Sequence, residues 1–303
     1  MIKIAVYIPT LNAGIDWPLL LESISTQNIS IAHKAIIDSG SIDNTIDTAK
    51  QYGFEIIQIN KNEFNHGATR QKLVNLHKDV DICVFLTQDA ILTSFDSIAN
   101  ITKVFEDLDV GMAYGRQLPH KGAKTLETHA RLYNYPSISN TLTLSDKDRL
   151  GFKAFFCSNS FSAYRVSMLN GVGGFPSNSI MGEDAIVAAK MLTAGFKKAY
   201  VADATVYHSH SYTLTEEFKR YFDTRVFHEQ NKWLLTDFGK PTGEGLKFIK
   251  SEISYVIKND WKTLPKSLNS VLAKWLGYNT GRFFKRMPLS VLKKLSMHSF
   301  YWK

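Results

Sequence analysis

Four short apolar runs in the first ninety residues, "KIAVYI" (3–8), "KAIID" (34–38), "FEIIQI" (54–59) and "ICVFLT" (82–87), are each followed at once by polar residues. Helix-like stretches lie between them. Leu20, Leu21 and Ile24 recur at helical spacing, and "DNTIDTAKQYG" opens on polar caps and stops at Gly53. Strand, helix, strand, helix is the pattern of an α/β fold with a mostly parallel sheet. Such sheets bind ligands at the carboxyl ends of their strands, so the residues directly after each run are the candidate site.

Those tips are "PTLN" (9–12), "DSGSIDN" (38–44), "NKNEFNHGATR" (60–70) and "TQDA" (87–90). Turn formation accounts for Gly and Asn there, but less readily for Asp38 and Asp89 at matching positions.

The rest of the chain is mixed. "FKAFFCSNSFSAYR" (152–165) reads as a bent strand, "GVGGFPS" as a loop, 183–196 as a helix and 198–212 as a strand. Residues 214–235 read as one long helix. The division is a body over 1–213 and a helical extension over 214–303.

Charge separates these parts further. Residues 240–303 hold 13 Lys and Arg against 3 Asp and Glu, whereas residues 1–239 carry a net charge of −2. A near-neutral body with a cationic tail argues against a nucleic-acid binder. In the tail, Leu264, Leu268, Val271, Leu272, Trp275 and Leu276 form an amphipathic stripe, and Leu246, Ile249, Ile253 and Val256 form a second. Such stripes either pack on their own protein or lie on an anionic membrane. The helices 214–235 and 263–277 also offer an interface for a homodimer. Two cysteines give no disulfide framework, the N-terminal apolar run is too short for a signal peptide, and no apolar stretch reaches about 18 residues. The expected location is the cytoplasm.

A nucleotide-sugar would find its needs met at these tips. Asp38, before the tight "SGS" turn, can accept the imide proton of a uracil or thymine, or can simply organise its loop. A nucleoside diphosphate leaves only when its charge is neutralised, and Asp89 can hold Mg²⁺ or Mn²⁺ while Arg70 supplies a cation. The acceptor hydroxyl needs a base, and "GEDA" sets Glu183 and Asp184 at a helix start. In "TVYHSHSYT", His208 and His210 share one face of an extended segment and could reach a single ion.

Taken in order, "IPTLN", "DSGSIDNT", "FNHGATR", "LTQDA", "GVGGFP", "GEDA" and "VYHSHSYT" resemble the family 2 glycosyltransferases of GT-A fold, and more narrowly the bacterial rhamnosyltransferases that use dTDP-L-rhamnose. The resemblance implies that Pro9, Thr10 and Asn12 border the nucleotide, with Asp38 and Ser39 at the base. It puts Asn65, His66 and Arg70 at the diphosphate or sugar, Gln88 and Asp89 in place of an Asp-x-Asp motif, and Asp184 as catalytic base. His208 becomes the second metal ligand, ahead of His210. Thr87 stands where many relatives carry a carboxylate, so the expected ion is weakly held and completed by the donor phosphates.

The implied reaction is inverting transfer of L-rhamnose from dTDP-β-L-rhamnose to a sugar hydroxyl of a lipid-linked polysaccharide precursor, at the inner face of the bacterial plasma membrane. The acceptor is expected to meet Ser158, Asn159 and Glu183, and the tail the membrane. Two rival readings are the same fold with a UDP- or GDP-sugar, and a non-catalytic membrane-associated scaffold.

Overall fold

The computed structural model describes residues 2–239 and 243–303. One sheet holds nine strands: β1 (Ile4–Thr10), β2 (His33–Asp38), β3 (Glu55–Gln58), β4 (Ile82–Leu86), β5 (Ile91–Leu92), β6 (Val110–Leu118), β7 (Asn140–Leu142), β8 (Phe161–Arg165) and β9 (Lys197–Tyr207). Their spatial order is β3-β2-β1-β4-β8-β6-β9-β5, and β7 pairs with β9.

The first four strands are parallel, as helical crossovers require. Their register sets Thr10 opposite Asp38 and Asp38 opposite Gln58, so the polar tips share one edge. Successive residues of β1 point to opposite faces and both faces are covered. Tyr7 joins a core with Phe85, Tyr164 and Phe175, while Val6 and Ile8 join Leu20, Leu21 and Ile98 on the other side. Continuous apolar runs rather than alternation are what such two-sided burial demands.

β8 enters antiparallel between β4 and β6 and pairs Phe161 with Leu86. An antiparallel neighbour arrives where a parallel one leaves. The residues before Phe161 therefore lie beside Thr87–Asp89, and Thr87 N–H reaches Ser160 O at 3.4 Å. β9 runs parallel to β6 and pairs Tyr207 with Leu118, which brings His208 to the same edge.

Several expected elements are shorter than read. Only Phe161–Arg165 of 152–165 is strand, because Gly151–Phe155 forms a 3₁₀ turn. The helix Glu183–Thr193 stops short of 196, and β9 ends at Tyr207. The helix expected over 214–235 breaks after Leu214–Gln230, where Asn231 Nδ2 donates to Phe227 O at 3.0 Å; Lys232–Phe238 follows. Of the tail, 240–242 lie outside the described residues.

The tail packs on the protein through its small residues. Helix Leu264–Gly281 lies along Leu214–Gln230 through Ser270, Gly277 and Gly281, not through its leucines, while Ser267 Oγ donates to Glu252 on the helix Glu244–Asn259. A Cβ on Gly277 would stand 2.1 Å from Phe218 O, so only glycine permits that approach. Leu268, Leu272, Trp275 and Leu276 consequently face outward, and the helices Leu214–Gln230 and Leu264–Gly281 pack on each other within the chain. Among the described residues no helix is long and apolar enough to cross a membrane.

Candidate active site

The tips of β1, β2 and β4 are tied into one floor. Asp38 is fully buried and accepts four hydrogen bonds, from Gly40 N, Ser41 N, Ser41 Oγ and Thr10 Oγ1 at 2.5–3.0 Å. Four acceptances fill a carboxylate's lone pairs. Asp38 thus holds its loop, and reading a base would require it to give up one of these partners. Ser39 Oγ donates to Thr10 O, and Asn12, at φ +47°, joins the loops by accepting from Ile42 N while its own N–H reaches Ser41 Oγ. Gln88 binds both backbone groups of Leu11, with Oε1 accepting from its N–H at 2.8 Å and Nε2 donating to its carbonyl at 3.1 Å. Pro9 is partly exposed at the end of β1.

Beside this floor begins the helix His66–Val74. Asn65 caps it, its Oδ1 accepting from Gly67 N and Ala68 N. A Cβ on Gly67 would lie 1.8 Å from Pro176 O, so glycine lets the "GVGGFP" loop close on the helix start. One turn on, Arg70 is buried and forms an ion pair with Glu183 at 2.9 Å. Its Nη1 also donates to His66 O, and its Nε has no partner. The cation expected at the diphosphate is therefore engaged with a carboxylate.

Glu183 and Asp184 differ sharply in environment. Burial opposes ionisation of Glu183, but Arg70, His66 and the Asn159 hydrogen bond together outweigh it and hold the carboxyl below the usual range. Asp184 is pushed up to about 7, first by burial and then by the charge of Glu183 beside it. Asn159 holds both: its N–H reaches Asp184 Oδ2 at 3.0 Å and its Nδ2 reaches Glu183 Oε1 at 2.9 Å. Its own Oδ1 is fixed by Ser162 Oγ and Tyr164 OH. Asn159 and Glu183, expected at the acceptor, are buried inside this network, whereas Ser158 is bound by Gln117 Nε2 at 2.9 Å. Adjacent carboxylates with separated proton affinities are a common arrangement for general base chemistry.

Across the edge, Asp89, His208 and His210 bring one ligand atom each within 4.8 Å of one another. His208 Nε2 lies 3.4 Å from Asp89 Oδ1, and His210 Nε2 lies 3.6 Å from Oδ2. Both imidazoles stand beside Asp89, His210 as well as the His208 expected from the sequence. β9 ends at Tyr207, so strand alternation no longer governs 208–210, and the two rings pack edge to face at 4.6 Å. Burial opposes ionisation of Asp89, but His208 and His210 outweigh it and keep the carboxyl well below its ordinary range.

Gln117 completes this cluster. Its Oε1 accepts from Arg131 Nη1 and lies 2.9 Å from His208 Nδ1. Arginine only donates, so it fixes the amide orientation; His208 Nδ1 then donates to Gln117 Oε1, and Nε2 is the nitrogen turned toward Asp89 and available to an ion. One carboxylate and two imidazoles, one of them so oriented, fit a divalent cation of transition-metal type.

Two contributions were missed from sequence. Gln117 sits in β6, where no motif marks it. The second is the C-terminal segment: His298 Nδ1 lies 3.4 Å from His66 Nε2, Phe300 packs on Phe64 and His66, and Lys303 Nζ donates to Asn62 O. The tail's last residues thus buttress the "FNHGATR" loop. A cavity of about 740 Å³ beside the helix Trp17–Ser25 holds none of the sequence-selected residues; one of about 510 Å³ includes His210.

A mixed sheet whose first four strands are parallel, with Asp89, His208 and His210 clustered at one edge and Asp184 opening the helix Glu183–Thr193, is the architecture of a glycosyltransferase of GT-A fold. Residues 5–173 match the family described as glycosyl transferase family 2, and the chain belongs to that family. The O-antigen chain rhamnosyltransferase RfbN of Salmonella typhimurium is 46% identical over 301 residues, covering 99% of this chain and 96% of that protein. The O-antigen chain rhamnosyltransferase WbaN of Salmonella anatum is 44% identical over 296 residues, covering 97% and 94%. Among solved structures, the mannosyltransferase PcManGT of Pyrobaculum calidifontis in complex with GDP-Man and Mn²⁺ is similar in fold, with a TM-score of 0.57 at 16% identity over 99% of this chain and 84% of that one.

Proposed function

We propose that this enzyme transfers L-rhamnose from dTDP-β-L-rhamnose to a sugar hydroxyl of an O-antigen precursor, with inversion at the anomeric carbon. The observation that carries the sugar and the pathway class is the likeness, over nearly the whole chain, to two O-antigen chain rhamnosyltransferases.

The chain's own residues divide the work. The loops held by Asp38, Thr10, Ser39, Asn12 and Gln88 form the nucleotide floor, where Asp38 organises the backbone that meets the base. Asp184, kept basic by burial and by Glu183, takes the proton of the acceptor hydroxyl as its oxygen attacks C1. Asn159 orients Asp184, and Arg70 keeps Glu183 ionised. Asp89, His208 and His210 would hold Mn²⁺ or Mg²⁺, which when bound neutralises the leaving diphosphate. Asn65 and His66 border the sugar end of the same floor.

The precursor is lipid-linked in this reading, and the enzyme meets it as a peripheral protein on the cytoplasmic membrane face. Leu268, Leu272, Trp275 and Leu276 point away from the protein on a segment of high positive charge, which supports contact with anionic lipid.

A donor screen tests the reading. Turnover is expected with dTDP-rhamnose and loss of turnover with EDTA, restored by Mn²⁺; faster turnover with a UDP- or GDP-sugar overturns the donor assignment. Full rate in EDTA overturns the metal assignment.

A further inference from the structure

The cavity of about 510 Å³ has no assigned occupant. Its inner end is formed by His210, Arg131 and Tyr135, and its outer end by Phe248 and Lys266 on the C-terminal helices. The volume is within the roughly 300–1,000 Å³ of clefts that enclose small ligands. Its inner end adjoins the reaction centre: His210 Nε2 lies 3.6 Å from Asp89 Oδ2, and Arg131 Nη1 donates to Gln117 Oε1, which in turn lies 2.9 Å from His208 Nδ1.

The walls alternate two kinds of surface. Aromatic rings stand along them, with Tyr133 and Phe248 edge to face at 5.1 Å, and charged side chains lie between. Glu217 and Lys274 pair at 3.4 Å, and Lys153 pairs with Glu244. Such a wall disfavours a wholly hydrocarbon ligand, which would strip water from these charged pairs and return no hydrogen bond. A pyranose has the complementary surface: apolar C–H faces that stack on rings, and hydroxyl edges that bind carboxylate and ammonium groups.

Three cations in the wall, Lys124, Arg220 and Lys266, make no side-chain hydrogen bond or ion pair among the described residues. The Arg220 guanidinium is exposed to the cleft, makes no hydrogen bond or ion pair among the described residues, and lies 5.2 Å from the centroid of the Tyr212 ring. Tyr212 packs in turn on His210 at 5.4 Å. Arg131 adds an Nε that is buried without a partner. The Arg220 guanidinium is thus free to donate to ligand oxygens near the inner end, while Arg131 is held by Gln117 Oε1.

We infer that this cleft is the acceptor glycan's binding site, with sugar rings stacked along its aromatic wall and the reactive hydroxyl delivered past Arg131 and Tyr135 to Asp184. The inference rests on the rhamnosyl-transfer reading. Helix Leu264–Gly281 gives it direction. Lys266, Ser270, Lys274 and Tyr278, four residues apart, line the cleft, while Leu268, Leu272, Trp275 and Leu276 face outward. A glycan leaving the outer end of the cleft emerges beside the apolar face proposed to meet lipid.

The test uses labelled dTDP-rhamnose and the solvent-extracted lipid-linked glycans of a strain deleted for this enzyme, with full-length protein. Phe248→Ala and Lys266→Glu are expected to raise the apparent KM for the extract about tenfold or more, as loss of a charged hydrogen bond or an aromatic contact would. Their thermal shift with dTDP should match wild type. Lys266 is exposed, so its variant folds even where Phe248→Ala loosens the helix pair. Wild-type incorporation with an unchanged KM in Lys266→Glu overturns the cleft assignment. No incorporation by wild type overturns the rhamnosyl-transfer reading itself, and the cleft assignment falls with it.

Discussion

Arg70 and Glu183 form a buried ion pair at 2.9 Å, and this contact separates two neighbouring carboxylates into unlike species. Glu183 stays ionised because Arg70 faces it; Asp184, with no cation of its own so near, carries the cost of that charge and is raised. Glu183→Gln removes the charge that raises Asp184. The acid limb of the pH profile for kcat should move to lower pH, and an unmoved limb would show that Glu183 does not tune the base. The same change leaves Arg70 buried and unpaired, at a cost of about 3–5 kcal/mol, so thermal unfolding should fall by several degrees.

Asp184 itself predicts the shape of the wild-type profile. A base works only when ionised, and its affinity for the proton is raised to about 7. Activity should climb as pH rises through that value and level off above it. Asp184→Asn should cut kcat about 10²–10⁴-fold with dTDP affinity nearly unchanged. A variant that turns over normally removes Asp184 from the mechanism.

At the cation cluster, the contact to test is Gln117 Oε1 to His208 Nδ1 at 2.9 Å. Gln117→Leu deletes the acceptor that fixes the tautomer. Partners behind a metal-binding histidine are typically worth about 10–100-fold in affinity, so Mn²⁺ titration in the presence of dTDP should weaken by that amount. His210→Ala should weaken it too, because His210 Nε2 stands 3.6 Å from Asp89. With two imidazoles in the set, Mn²⁺ should support activity better than Mg²⁺.

The first four strands and the tip residues were legible because parallel strands buried on both faces leave unbroken apolar runs, and parallel order fixes which ends share an edge. Asp89, Asp184 and His208 could be selected from their positions at strand ends and a helix start. Gln117 could not, since its neighbours His208 and Ser158 come from distant strands brought together only by the β6–β8 and β6–β9 pairings. The contacts of Asn159 and Glu183 were hidden for a related reason: β8 enters antiparallel, which brings Asn159, just before it, onto the helix start to bind Asp184 and Glu183. In the tail the leucine stripe drew attention, while the small residues Ser267, Ser270, Gly277 and Gly281 carried the packing.

The C-terminal segment should matter to stability and turnover together. Asp223 is fully buried, and its Oδ2 accepts from Met297 N at 2.8 Å and His298 N at 3.2 Å, anchoring the residues that reach His66. Removing 297–303 takes away the His298 and Phe300 contacts with His66 and the Lys303 bond to Asn62. Truncated enzyme should melt several degrees lower and show a higher KM for the donor, and wild-type values of both would assign the segment no part in the site.

The outward leucine face makes the last prediction. Leu268, Leu272, Trp275 and Leu276 are 43–61% exposed, a contiguous apolar strip on a helix whose opposite side is held by Leu214–Gln230. A soluble protein seldom leaves such a strip uncovered, and Lys262, Lys285 and Arg286 lie on the flanking segments. The double variant Leu272→Glu/Trp275→Glu puts carboxylates where lipid would lie and leaves the helix contact untouched. Its binding to vesicles containing phosphatidylglycerol should be lost, while its thermal shift with dTDP stays at the wild-type value. Binding by the wild type should weaken as salt is raised, because basic residues near an anionic surface contribute about 1 kcal/mol each and are screened within a Debye length. Vesicle binding that survives the double variant would show that this face does not meet the membrane.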